Sequence, residues 1–201
     1  MYVPSEFKED DPARLAAVMA ENSFGILVTT DDEAAPFATH IPFIFEAERQ
    51  VLVGHVARAN PQWRHLESGK EALAIFSGPH AYISPSWYDV RPSVPTWNYV
   101  AVHVYGKARL LEQPAQARAV LRQLVDRYEA SFEKPWPMEL PPEYEAGMLR
   151  GIVAFEIQIT RMEGKFKLSQ NRSAADREGV TGNLEQLADR DSAAVARLMR
   201  L

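Results

Sequence analysis

The segment from Val94 to Leu111 restricts the fold more than any other, because it is the longest extended stretch in the chain and its two faces differ. Val100, Val102 and Val104 point to one side of an extended backbone, and Trp97, Tyr99, Ala101, His103 and Tyr105 point to the other. Branched aliphatics in a row suit a barrel interior. The aromatic and histidine row suits a subunit interface or a flat ligand.

Such a strand needs partners, and the sequence supplies them. Phe24 to Thr30 reads as a strand leading into a polar turn at Asp31-Asp32-Glu33. Ala38 to Phe45 and Val51 to Val56 read as further strands, and Leu73 to Phe76 as a short, buried one. Ile152 to Thr160 alternates, with Val153, Phe155, Ile157 and Ile159 opposing Glu156 and Gln158. Helical signals are fewer. Asp10-Asp11-Pro12 opens one helix, with Leu15, Val18 and Met19 on its core face. Gln113 to Ser131 forms another, striped by Leu121, Leu124, Val125 and Tyr128. A proline-rich connector from Lys134 to Pro142 interrupts regular structure. The tail from Ser173 is polar and alanine-rich, with Leu184, Leu187, Val195 and Leu198 as helical anchors. No regular βαβ rhythm is present, so antiparallel neighbours are expected. The pattern predicts a mainly β chain, a barrel of about six strands with inserted helices over residues 1–172, and a helical tail over 173–201 packed on it.

Composition narrows the function. The apolar fraction of 46% is enough for a sizeable core. A net charge of −5 and a pI near 5.6 argue against a dedicated polyanion binder, so direct DNA binding is not supported. With no cysteine, thiolate nucleophiles, disulfides and cysteine-ligated metals are excluded. No secretory signal and no membrane-length apolar run is visible, which leads to the expectation of a soluble, cytoplasmic protein.

Three segments carry candidate chemistry. In Gly54 to Leu66 a strand ends near Val56 and Asn60-Pro61 starts a helix, where free N–H groups and the helix dipole favour an anion; Arg58 lies just ahead. The same residues also read as an ordinary capped helix with a surface arginine. If Arg58 serves an anion, its removal should leave stability without ligand unchanged or slightly improved, since a cation at a helix start is unfavourable when no anion is bound. Ser77 to Tyr88 and Val94 to Tyr99 combine turn-forming glycine and prolines with dense aromatics, which suits either a flat isoalloxazine ring or an aromatic mini-core stapling two loops. Gly164 to Arg172 offers Lys167, Gln170, Asn171 and Arg172 as donors, either to a phosphate or ring edge or simply to solvent. The five histidines, His40, His55, His65, His80 and His103, form no zinc pattern, and no metal site is expected. No nucleophile elbow, Walker loop or helix-turn-helix is present, and no catalytic residue is assigned.

Taken in order, Met1 to Pro4, Thr39 to Phe43, Gly54 to Trp63, Gly78 to Tyr88, Val94 to Tyr99 and Lys167 to Arg172 resemble the PaiB-type FMN-binding negative transcriptional regulators, over nearly the whole chain. The resemblance implies an antiparallel, Greek-key, FMN-binding split β-barrel, related to pyridoxamine-phosphate oxidase-like proteins and working as a homodimer with FMN between subunits. It implies cofactor contacts from Thr39, His40, His55, Arg58, Asn60, Trp97, Asn98, Lys167, Gln170 and Asn171. The related oxidases carry an arginine-lysine pair where this chain has Arg58, Ala59 and Asn60. The function implied is that of a negative transcriptional regulator or flavin-dependent sensor. The alternative is a flavin-dependent oxidoreductase or haem-handling oxidase of the same barrel class.

Overall fold

The computed structural model describes residues 1–201, the whole chain. Its strands are β1 (Lys8–Glu9), β2 (Phe24–Thr30), β3 (Pro36–Pro42), β4 (Ile44–Glu46), β5 (Val51–Ala57), β6 (Glu71–Ile83), β7 (Thr96–Leu111) and β8 (Ile152–Lys167). Its helices are α1 (Pro12–Glu21), α2 (Gln62–Glu67), α3 (Pro114–Glu129), α4 (Pro142–Arg150), α5 (Ala174–Gln186) and α6 (Arg190–Arg200). The strands form one sheet in the order β3-β2-β6-β7-β8-β5-β4, with β1 added to β8. The pairs β2–β3, β2–β6, β4–β5, β5–β8 and β1–β8 are all antiparallel.

The chain divides into two units. Unit 1 comprises Met1–Glu21, Ser77–Val102 and Glu163–Leu201, and unit 2 comprises Asn22–Phe76 and His103–Met162. In unit 2 the β2–β3 hairpin turns on Asp31, whose Oδ1 accepts from the backbone N–H groups of Glu33 and Ala35 at 2.9 and 2.8 Å. β3 and β5 are far apart in the sheet order, yet a Cβ built on Gly54 of β5 would lie 3.4 Å from the Pro42 carbonyl oxygen of β3. That approach curls the sheet, as a barrel requires. Phe43 fills the curl, with its ring 5.5 Å from Phe76 and 6.5 Å from Phe155, both near-perpendicular. On the other face of β5 and β8, Val51, Val53 and Ala154 pack against Ala117, Val120 and Leu124 of α3. Glu156 ties this region together. Its carboxylate accepts from Arg49 Nη2 at 2.5 Å and from Arg109 Nη2 at 2.8 Å.

In unit 1, α5 and α6 pack on each other and bury Val180, Leu184, Val195 and Met199. Asp176 is almost fully buried in this unit, and its Oδ1 accepts from the N–H groups of Asp89 and Val90 at 2.8 and 3.3 Å. The fixed acceptor anchors the segment after β6.

Several elements differ from the sequence expectation. Phe43 interrupts the strand expected over Ala38 to Phe45, giving β3 and β4, because its ring is committed to the core. The short strand at Leu73 to Phe76 is the middle of β6, which runs thirteen residues to Ile83. Gly78 permits this, since a Cβ there would meet the Val100 side chain at 3.1 Å. The buried stripe of α3 is Ala117, Val120 and Leu124, while Tyr128 is exposed and bonds Ser23 through its hydroxyl at 2.7 Å. Prolines at the start of α4 do not prevent a helix, because the first helical turn lacks N–H partners anyway. β8 continues through Gly164–Lys167 rather than ending at Thr160.

Candidate functional site

Thr39, Arg58 and Asn60 come together in unit 2. After β5 ends at Ala57, the Asn60 N–H turns back to the Ala57 carbonyl at 2.9 Å. The Asn60 side chain then works at both ends. Its Oδ1 accepts from the Gln62 N–H at 3.0 Å and its Nδ2 donates to Thr39 Oγ1 at 3.0 Å. The first bond fixes the turn that leads into the six-residue α2, and the second ties that turn to β3. Trp63 braces the same loop by donating Nε1–H to the Arg58 carbonyl at 3.1 Å.

Arg58 is more constrained than a surface arginine. Its Nε donates to the Arg150 carbonyl and its Nη2 to the Ile152 carbonyl, both at 3.0 Å, and its own N–H donates to Gly151 at 2.8 Å. A guanidinium has five N–H donors, so three are left for an anion. Arg64 lies beside it, and both guanidinium groups flank the Trp63 ring, at 6.0 Å for Arg58 and 5.1 Å for Arg64. The cluster is rich in donors, and neither arginine here is in an ion pair. That chemistry fits a phosphate. Arg58 also stands at the rim of a cleft of about 350 Å³ walled by Leu111, Ala117, Leu149 and Ile152.

Gln62, Trp63 and Arg64 join the site although sequence reasoning did not assign them to it. Gln62 is fully buried, and its Nε2 donates to the Leu27 carbonyl at 3.0 Å and the Phe37 carbonyl at 3.2 Å. It thereby pins α2 to the β2–β3 hairpin. No local signal marked it, since glutamine is equally at home on an exposed helix turn.

His40 and His55 take separate places in unit 2. His40 is exposed and its ring lies 6.2 Å from Phe24. His55 sits in β5 opposite Ala154, and its Nδ1 is buried without a hydrogen-bond partner. Burial therefore pushes its pKa below the ordinary 6.5. A buried neutral histidine must take up a proton on unfolding in acid. The stability it permits is fully present above 6.5 and is lost as the pH falls below that value. The melting temperature should consequently drop between about pH 7 and pH 5, and His55→Phe should flatten that slope. A parent and variant with the same slope would show that His55 does not titrate on unfolding.

Trp97, Asn98, Lys167, Gln170 and Asn171 belong to unit 1, where the first four brace the end of β8. Lys167 Nζ donates to the Trp97 carbonyl at 2.7 Å and to the Thr96 hydroxyl. Fully buried Asn98 donates to Ser169 Oγ at 2.9 Å, holding Ser169 at a φ of 63° in the left-handed region. Gln170 accepts from the Leu168 N–H at 2.7 Å and donates to the Phe166 carbonyl at 2.5 Å. Asn171 is exposed on the turn. Burial, then the nearby charges of Lys165 and Arg172, lower the Lys167 pKa. Of the ten expected contacts, five belong to unit 2 and five to unit 1.

Comparison with known proteins agrees with this architecture. A family model described as "Putative FMN-binding domain" matches residues 1–161. Protease synthase and sporulation protein PAI 2 of Bacillus subtilis is 40% identical over 203 residues, covering 99% of this chain and 96% of that protein. An uncharacterised protein of Emericella nidulans is 31% identical, covering 100% of this chain and 96% of its own length. The FAD and heme binding protein of Mycobacterium smegmatis shares the fold at a TM-score of 0.66 and 16% identity, covering 85% of this chain and 78% of that one. The flavocytochrome Anf3 of Azotobacter vinelandii does so at 0.64 and 17%, covering 94% and 75%. With an antiparallel sheet curled as a split barrel and a family match over most of its length, the chain belongs to the PaiB-type FMN-binding family, and its cofactor is FMN.

Proposed function

We propose that this protein is a flavin-dependent sensor whose output is negative control of transcription, with the FMN phosphate held by Thr39, Arg58 and Asn60. The observation that carries this reading is the donor cluster in unit 2, where Asn60 bridges Thr39 and α2 while Arg58 and Arg64 flank Trp63 without an ion pair. FMN supplies redox chemistry when bound, and the chain need only bind and orient it. The name of the Bacillus relative, which links it to protease synthesis and sporulation, supports a regulatory output. A net charge of −5 leaves the chain alone a weak DNA ligand at physiological salt. No helix is long and apolar enough to cross a membrane.

The test compares FMN with riboflavin, which lacks the phosphate. FMN should raise the melting temperature, as a ligand selective for the folded state must, and riboflavin should raise it less. Equal shifts would remove the phosphate site from the reading. Bleaching of the bound flavin by NAD(P)H would favour the oxidoreductase alternative.

The sensor is further proposed to act as a homodimer. Phe24 is 67% exposed, Phe132 61% and Tyr144 56%, leaving large aromatic surface uncovered in a single chain. Light scattering should report twice the 22.6 kDa chain mass. A monomer at micromolar concentration would refute it.

A further inference from the structure

Unit 1 contains a cavity of about 570 Å³ whose chemistry is opposite to that of the Arg58 cluster. Tyr82, Trp87 and Trp97 provide aromatic wall, Asp189 and Asp191 provide carboxylates, and the wall includes no lysine or arginine. Strand alternation puts His80 and Tyr82 on the outer side of β6, while Ala81 and Ile83 are buried. Tyr82 then meets Trp97 at 5.9 Å and 74°, so the two rings form a near-right-angled corner. His80 lies 6.0 Å from the same indole, and its Nδ1 is 3.5 Å from Asp191 Oδ2.

The acidic side is equally fixed. Asp189 caps α6 by accepting from the Ser192 N–H at 2.8 Å, and that bond helps hold its carboxyl below its usual range. Asp191 sits in the first turn of the same helix. The amine of Lys167 turns to the Trp97 carbonyl and forms no part of the cavity wall.

We propose that this cavity binds an alkylammonium cation, with its head in the Tyr82–Trp97 corner and its charge balanced by Asp189 and Asp191. Aromatic faces are electron-rich and attract a cation, most strongly when the ring is an indole. A phosphate or carboxylate would meet two negative charges here, and a neutral apolar molecule would gain nothing from them. An alkylammonium uses both kinds of wall at once. The proposal does not rest on the flavin reading, whose phosphate cluster lies in unit 2.

The test uses the full chain, choline as the cation and 3,3-dimethylbutan-1-ol as its neutral isostere, titrated by calorimetry without FMN and with saturating FMN. Choline should bind with a Kd of about 1 mM or tighter, and the alcohol roughly tenfold more weakly. Trp97→Leu and Asp191→Asn should each weaken choline binding roughly tenfold, while Trp97→Tyr keeps most of it. Asp191 does not cap α6 through its side chain, so Asp191→Asn tests the charge even if Trp97→Leu fails to fold. Equal affinity for choline and the alcohol, or no choline heat at all, would overturn the proposal. Displacement of choline by FMN would also overturn it, because the cavity would then belong to the flavin.

Discussion

Arg58→Ala should lower FMN affinity by about one to two orders of magnitude and leave riboflavin affinity nearly unchanged. A charged hydrogen bond contributes roughly 1.5–3 kcal/mol, and each 1.4 kcal/mol is tenfold in affinity. Two of the guanidinium N–H groups are held by the Arg150 and Ile152 carbonyls, which aims the remaining ones and limits the entropy lost on binding. Arg58→Lys keeps the charge but not the fork, so it should recover only part of the affinity. Isothermal titration of both variants with both ligands measures all four values. Unchanged FMN binding by Arg58→Ala would move the phosphate to the Lys167 and Arg172 region of unit 1.

The same variant separates what the sequence told from what it could not. Asn60-Pro61 after a strand was enough to place a helix start, one residue early, and an adjacent arginine. On that basis, removing a cation from a helix start should leave the ligand-free protein as stable as before. The geometry reverses the sign. Arg58 binds two carbonyls where α4 gives way to β8, and those partners are ninety-two and ninety-four residues away in the chain. No local pattern reports so distant a bond. Arg58→Ala should therefore cost about 1 kcal/mol of stability even without flavin.

Periodicity was similarly informative within its range. The alternation of Val100, Val102 and Val104 located the buried face of β7, and all three are essentially inaccessible. The β2 strand and α1 likewise lie where their patterns put them. The first half of the Ser77 to Tyr88 segment misled, because turn-forming residues outweighed the strand signal. Gly78 and Pro79 instead continue β6, and the glycine is needed for close approach to Val100. The site suffered most from this limit. The expected contact residues could be listed one by one, yet which of them stand together, as Thr39 and Asn60 do, depends on strands that return from far along the chain.

Gly106→Ala should be among the most damaging single-methyl changes available to this protein. Gly106 continues the buried face of Val100, Val102 and Val104 in β7. A Cβ at this position would stand 2.2 Å from the Gln158 carbonyl oxygen and 2.6 Å from Ile157 Cγ2 of β8. The first neighbour is backbone held in the sheet, so it cannot swing aside as a side-chain tip would. Overpacking typically costs about 1–3 kcal/mol, and a backbone clash belongs at or above the upper end. For a chain of this length that corresponds to a fall of roughly 10 °C in melting temperature. Gly182→Ala provides the contrast. It lies inside α5, where a Cβ meets nothing within 4 Å, and alanine there favours the helix by roughly 0.8–1 kcal/mol. Melting curves should therefore move in opposite directions for the two substitutions, although the sequence presents each as one isolated glycine. If Gly106→Ala melts within a degree or two of the parent, β7 and β8 are not packed as closely as their backbones stand here.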